Sequence, residues 1–527
     1  MKKLTLLFSF LFFLGNFIFS QATWSDDVAQ IFYDKCAKCH RSGGAGGFSL
    51  VTYQEASSLA SFLYDQVNTN EMPPWPPDNS YMEYAHDRAL TPTEKTTVLS
   101  WLSGGTPEGD PANTPPPPVF NTGSILGNGD LEIQMPAYTS QATSTADDYT
   151  CFTIPSGLTQ DRVIKAIEVI PGNEAIVHHA LIYVDSVPLN SPTDTIGSQC
   201  ITPSSNTASL ACGFAPGAVP TIFPSQDPLK MGVHMRANSQ VIFAMHYPEG
   251  SFGQSDSTKV IFHFYPPGES GVRDVFALPM LQNWSFSLPP EQVTSVSASY
   301  TISSNYPDLS FISVFPHMHL IGDNMKVYGL KPNQDSIRMI NVPHWDFEWQ
   351  DFYYFKNMKH VPSGTTVKAD AVYDNTSGNI HNPNSPPATI TAGFNTADEM
   401  LVVYFHLMQY QAGDENYDMD SLMNLTFADI IENNKEPSNL FVYPNPFDKD
   451  LNIHCQGLSP GDNVTAYIYD FNGKKVKELL KNRIVQNEVL EINWDAKTDK
   501  GAEVNAGLYY ISFRVNGVIS HQKVIKR

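Results

Sequence analysis

Basic residues are scarce in this chain: 32 Lys and Arg stand against 54 Asp and Glu, for a formal charge of -22. Such a field repels polyanions, so nucleic acid and anionic membrane surfaces are set aside as partners. After residue 19 no apolar run approaches the ~20 residues that cross a bilayer, and no stable membrane span is expected. Neither His-Glu-x-x-His nor Gly-x-Ser-x-Gly occurs, which weakens a zinc hydrolase and leaves a serine hydrolase unsupported. Cysteine is limited to six positions.

What is present begins with Met1-Lys2-Lys3 and an apolar stretch from Leu4 to Phe19, the form of a secretion signal spanning residues 1–20. Export implies an oxidising setting in which disulfides persist. Cys200 and Cys212, separated by a Ser/Thr-rich stretch, are expected to close a local loop, while Cys151 and Cys455 stay unassigned.

A length of 527 residues predicts about three or four domains. Residues 24–104 read as helical: Ser25 caps a helix with Val28, Ile31 and Phe32 on one face, and Thr91, Pro92 and Glu94 start another that stops at Gly104-Gly105. Pro115 to Pro118 form a stiff spacer. Beyond it, short β-branched and aromatic runs such as Val163 to Ile170, Gln240 to Phe243, Lys259 to Phe264 and Met400 to Phe405 predict strands. The expected fold is multidomain: an all-α domain at 21–112, a Pro-rich linker at 113–127, and two all-β jelly-roll-like sandwiches at 128–285 and 286–412. An acidic linker at 413–438 and a C-terminal Ig-like β-sandwich at 439–527 complete it.

Cys36-Ala-Lys-Cys39-His40 sets two thiols for thioether bonds to a porphyrin and an imidazole for its iron, which predicts haem c. A zinc site would need a second Cys or His pair at finger-like spacing, and the next histidine is His86. Met72, in Glu-Met-Pro-Pro-Trp-Pro-Pro, is the candidate second iron ligand, with Met82 and His86 as alternatives. The run from Cys36 through Phe48-Ser-Leu, Met72-Pro-Pro-Trp75 and Trp101 to Gly105 resembles bacterial mono-haem cytochrome c domains, a resemblance that implies Met72.

Histidines cluster in the β region. His178-His179 lies in Ile176-Val-His-His-Ala-Leu-Ile-Tyr183, His246 precedes Tyr247-Pro248, His317-Met-His319 follows Phe315-Pro316, and Met400 ends Asp398-Glu-Met. His317 and His319, two apart, share one strand face and can grip one ion. Adjacent His178 and His179 need a strand end, a bulge or the near ring nitrogen to do the same. Imidazoles suit zinc, copper or iron, and an added thioether points to an ion that passes through Cu(I).

In order and composition these clusters resemble the copper type II, ascorbate-dependent monooxygenases, the family of peptidylglycine α-hydroxylating and dopamine β-monooxygenases, over roughly residues 128 to 412. Cys151-Phe152, Phe214-Ala-Pro-Gly217 and Asp346-Phe-Glu-Trp-Gln350 look like further landmarks. The resemblance implies two copper ions, an electron-storing one on His178, His179 and His246 and an oxygen-binding one on His317, His319 and Met400. Phe315 and Val402 stand where the peptide-amidating enzymes carry Arg and Asn, so a peptide C-terminus is not the expected substrate. Tyr404, a candidate catalytic residue, and His406 look more like the dopamine-hydroxylating branch, though either could be a packed strand residue. His234, His263, His344, His360, His381, His454 and His521 read as surface or structural.

Val442-Tyr-Pro-Asn-Pro-Phe447, the Tyr469-Asp-Phe-Asn-Gly473 turn, Gly507-Leu-Tyr-Tyr-Ile and the basic end resemble the sorting domain of type IX secretion substrates. The expectation is thus a protein exported through the periplasm to the surface or medium by the type IX machinery. It would use O2, a small neutral or amine substrate and an external reductant or redox protein, with the haem feeding electrons to copper. A non-catalytic haem and copper surface protein, or a zinc hydrolase, are the rival readings.

Overall fold

The computed structural model describes residues 21–527 apart from 43, 45, 119–123, 145, 186–207, 217, 394–395, 434–438, 457, 459, 471–473, 488 and 516–517. The signal stretch and Cys200 lie outside the described residues. The chain divides into two compact units, Met1–Phe427 and Ala428–Arg527, and strands in several sheets dominate it.

The first unit opens with a helical region. Thr23, rather than Ser25, caps the first stretch, because its Oγ1 accepts from Asp26 N at 3.3 Å. A π turn at Trp24–Val28 runs into the helix Ala29–Lys35. Two further helices, Tyr53–Ser58 and Ala60–Thr69, lie within the stretch read as helical, where the sequence reading had singled out only the first and last. The helix Pro92–Ser103 starts at a capping box in which Thr91 and Glu94 serve each other's backbone N–H groups. Trp24, Phe32 and Trp101 pack ring to ring at 5.2–5.8 Å and anchor this core. The proline spacer is pinned at both ends: Asn113 Nδ2 donates to Asp26 at 2.8 Å, and the buried Glu168 carboxylate accepts from the backbone of Ile125 and Leu126.

Two β modules follow. In the first, the sheet nearest the histidines runs Asp148–Pro155, Gln240–Tyr247, His179–Asp185, Ala208–Phe214, with antiparallel neighbours throughout. Every residue of Gln240–Tyr247 is buried, which explains its nearly unbroken apolar sequence. In the second, one sheet runs Phe276–Asn283, Leu401–Gln409, Leu309–His317, Tyr353–Val361 and the other Gln292–Thr301, Thr366–Asn375, Gly322–Leu330, Ser336–Val342. Thr366–Asn375 alternates buried and half-buried positions, the period of a strand with one face in the core.

The helical region docks firmly on the second module. Tyr84 is part of that module's buried core, with Trp75 and Met82 packed against it. Asp78 N donates to Asn341 O and Ala85 N to Tyr354 O, each at 2.8 Å.

Two further expectations fail. The 413–438 stretch contains the helix Met419–Asn433, whose Met419, Met423 and Thr426 fall on one buried stripe, and Ser225 N donates to Thr426 Oγ1 at 2.8 Å. The Cys200–Cys212 bridge is absent: Cys212 is a free thiol in the buried middle of Ala208–Phe214, opposite Ile182.

The second unit is a separate pair of sheets. Asn439–Tyr443, Leu451–Gln456 and Val489–Trp494 form one, and Lys475–Ile484, Asn463–Asp470, Gly507–Val515 and Val518–Lys526 the other. Phe447, Trp494 and Tyr509 are among its buried residues. Among the described residues no helix is long and apolar enough to cross a membrane.

Candidate metal centres

His178, His179 and His246 come together. His179 opens its strand directly opposite His246, while His178 sits just outside the strand and donates its backbone N–H to His246 O at 3.0 Å. The ligand atoms of the three rings lie within 4.8 Å of one another. The Nδ1 atoms of His178 and His246 stand 3.2 and 3.1 Å from His179 Nδ1. Ligands at metal–nitrogen distances of about 2.0–2.1 Å around a tetrahedral ion stand about 3.3 Å apart, close to this spacing. His179 can give a proton to only one neighbour, so a cation is the natural relief for three converging lone pairs. Burial and the surrounding histidines hold His179 well below its usual range.

The outward nitrogens have carboxylate partners. His246 Nε2 lies 3.2 Å from Asp147 and His178 Nε2 3.4 Å from Glu348. Tyr149 stacks on His246 with centroids 4.3 Å apart and planes 5° from parallel. Carboxylates behind ligating imidazoles fix tautomer and ring direction.

The second group is set the opposite way. His317 ends the strand Leu309–His317, Met318 turns into the core, and His319 returns to the side of His317, their ring centroids 5.2 Å apart. Gln350 Oε1 accepts from His317 Nδ1, an orientation fixed because Gln350 Nε2 donates to Phe347 O at 2.6 Å. His319 Nδ1 donates to the carbonyl of Asp398 at 3.0 Å. Both rings therefore carry their proton on Nδ1 and present Nε2 as the lone-pair atom.

Glu399, a residue the sequence reading passed over, organises this side. Fully buried, it accepts from His319 N at 2.9 Å and Met400 N at 3.2 Å on one oxygen and from Ile321 N at 2.8 Å on the other. Burial pushes its carboxyl up to about 8, and the backbone donors oppose that shift. A fully buried Met400 backbone is held from the other side by Tyr373 Oη, which donates to Met400 O at 2.8 Å. The only signal for Glu399 was an acid between Asp398 and the Met400 already singled out.

Phe347 lies between the two groups. Its ring is 6.1 Å from His178, 6.3 Å from His246 and 5.9 Å from His319. The facing sheets of the two modules meet beside it: a Cβ on Gly213 would stand 4.0 Å from Phe315, and Phe315 is the register partner of Tyr404. Tyr404 also meets Tyr183 across this seam. His406, by contrast, is a core histidine, stacked on Phe352 at 4.1 Å and bonded to Ser313 Oγ at 2.8 Å, with burial lowering it to about 3.

In the helical region Cys36 and Cys39 are unpaired, and burial pushes Cys36 up to about 12. Two free thiols in Cys36-x-x-Cys39 immediately before His40 fit the two thioether bonds and the iron ligand of a covalently held haem. His40 packs on Phe48 with centroids 4.4 Å apart. Of the alternative ligands, Met82 packs on the second module's core and His86 pairs with Asp420 at 3.0 Å. His234, His360 and His454 each lie beside a carboxylate, of Asp274, Asp308 and Glu491.

Residues 274–427 match the copper type II ascorbate-dependent monooxygenase C-terminal domain, and residues 441–527 match the secretion system C-terminal sorting domain. DBH-like monooxygenase protein 1 of Mus musculus is 22% identical over 276 residues, which are 48% of this chain and 43% of that protein. The Homo sapiens protein of the same name is 22% identical over 270 residues, with the same shares. The chain thus spans less than half the length of these curated relatives. Among solved structures, PorZ of Porphyromonas gingivalis, an essential surface component of the type IX secretion system, covers 18% of this chain and 12% of its own at 18% identity. With a TM-score of 0.14, that likeness carries no argument.

Proposed function

We propose that this chain is a secreted or surface copper monooxygenase that hydroxylates a C–H bond of a small neutral or amine substrate with O2, and that its helical domain carries a haem c on Cys36, Cys39, His40 and Met72. The observation that supports this reading best is the pair of histidine groups on either side of Phe347, one converging through Nδ1 and the other held to present Nε2.

His178, His179 and His246 would hold one copper, and His317, His319 and Met400 the other. Copper supplies one-electron chemistry, and two such sites match the two electrons that insertion of one oxygen atom requires. Three protein ligands at the second site would leave a position for O2. Gln350 and the Asp398 carbonyl keep the proton on Nδ1 of His317 and His319. Glu399 ties the backbone of His319 and Met400 to one carboxylate, which would hold these two candidate ligands in a fixed relation to each other. Phe315 and Tyr404 would give the substrate an aromatic wall with one hydroxyl, and Phe315, standing where the peptide-amidating enzymes carry Arg, favours a substrate without a carboxylate.

The test is turnover by the purified, copper-loaded chain, reduced and given O2 with a panel of small amines and aromatic compounds. A hydroxylated product carrying one atom from O2 is expected, with at least a hundredfold loss in Met400→Ala. Unchanged product formation in that variant would overturn the assignment. Full zinc occupancy without copper would overturn every redox reading, and bound copper without O2 uptake would favour the electron-transfer alternative.

A further inference from the structure

The short segment Asp346–Asp351 touches three parts of the first unit at once. Phe347 lies between the histidine groups, Gln350 holds His317 Nδ1, and the next residue, Asp351, takes Arg88 Nη2 on Oδ2 at 2.9 Å. Asp351 Oδ1 accepts from Phe352 N at 2.8 Å, which fixes the carboxylate. On the helical side the Arg88 guanidinium lies 5.8 Å from the centroid of the Trp75 ring, and Trp75 ends the motif Met72-Pro-Pro-Trp75. Trp75 in turn meets Tyr353 edge to face at 5.3 Å. Backbone bonds from Asp78 to Asn341 and from Ala85 to Tyr354 hold this arrangement in place.

We propose that Trp75, Arg88, Asp351 and Gln350 form the route by which an electron passes from the Met72 side of the helical domain to His317. Delivery then goes directly to the His317, His319 and Met400 site and not by way of His178, His179 and His246. The inference rests on the function proposed above. In the step, one electron leaves ferrous iron, which becomes ferric, and reduces one cupric ion to cuprous, with no bond made or broken. Tunnelling falls off less steeply through bonded and hydrogen-bonded atoms than across gaps, and this run from one candidate ligand to another has a single ring contact in it. The competing connection is poorer. Arg41, beside His40, reaches Glu174 at 3.5 Å, but Glu174 stands four residues before His178 and its side chain is 44% exposed.

The test uses the full chain with haem and copper. His246→Ala and His317→Ala single-site variants first assign the two Cu(II) EPR signals. The haem is then flash-reduced without O2, and its reoxidation is followed optically beside freeze-quenched EPR. The His317-site signal is expected to fall in step with haem reoxidation. Arg88→Met and Gln350→Leu should each slow that step by about tenfold or more, and the double variant by little more than the slower single one, as serial elements of one route require. Glu174→Gln should stay within about twofold of the parent, because it lies off the route. Arg88→Lys, which keeps the charge but loses the fork, guards against a folding failure and should also slow the step. A second readout is thermal unfolding of the metal-free protein, where Arg88→Met and Gln350→Leu should be non-additive. First loss of the His246-site signal, or rates unchanged in the Arg88 and Gln350 variants, would overturn the route alone. A purified chain without haem or without copper would overturn the proposed function, and the route with it.

Discussion

One oxygen of Glu399 accepts hydrogen bonds from the backbone N–H of both His319 and Met400, at 2.9 and 3.2 Å. Two candidate ligands from separate strand ends are thereby tied to a single buried atom. Glu399→Gln keeps the shape but turns an NH2 group toward backbone donors wherever the amide cannot satisfy both sides. The expected cost is about 1–3 kcal/mol of stability, with a 10–100-fold loss of copper affinity at this site. Denaturant unfolding and copper titration of the variant check both. Parental values would show that the carboxylate does not organise the site.

The carboxylates behind the other group differ in burial, and so should their effects. Asp147, with 18% of its side chain exposed, faces the buried His246, whereas Glu348 is 70% exposed where it meets His178. Asp147→Asn should weaken copper binding at this site by about 10–100-fold, and Glu348→Gln by no more than about twofold. Equal effects in competition titrations would contradict the ranking.

His263 supplies a pH test remote from both histidine groups. Burial lowers it to about 4, Asp130 opposes that and Lys165 adds to it, and its Nε2 has no hydrogen-bond partner among the described residues. An unfolded histidine titrates near ~6.5, so between those values the unfolded chain binds more protons than the folded one. The stabilising effect of a neutral His263 is complete above pH ~6.5 and declines by up to about 3 kcal/mol as pH falls toward 4. Unfolding free energies at pH 5 and 7 should therefore differ less in His263→Gln than in the parent. An identical pH slope in the two proteins would rule this out.

Cys212 should be unpaired and unreactive. Burial drives its thiol far above the usual range, and the thiolate is the reactive form. Alkylation followed by peptide mapping should label Cys212 only after unfolding, without reductant. Labelling that requires reductant would restore a disulfide there.

Much of this architecture was legible in residue pattern. Thr91 and Glu94 form the capping box their spacing announced, and the run Lys259–Phe264 is a strand with those same ends. Where the reading failed, local composition competed with tertiary burial. The acidic, Asn-rich surroundings of Met419–Asn433 hid the buried stripe of Met419, Met423 and Thr426, and Thr23 outcompeted Ser25 because the turn of Trp24 into the core set where the helix begins. At the site, ligand types could be read one by one, but Glu399, Phe347 and Gln350 act only through neighbours far away in sequence. Nothing in a linear pattern marked the Arg88–Asp351 pair, since it exists only once the helical region has docked.

Copper stoichiometry is the most direct test that two distinct copper sites exist. Metal analysis of the purified, copper-reconstituted chain should find two copper ions per protein, one in His246→Ala and one in His317→Ala, with the double variant holding none. A single copper lost equally in both variants, or zinc retained in all of them, would contradict the two-site assignment.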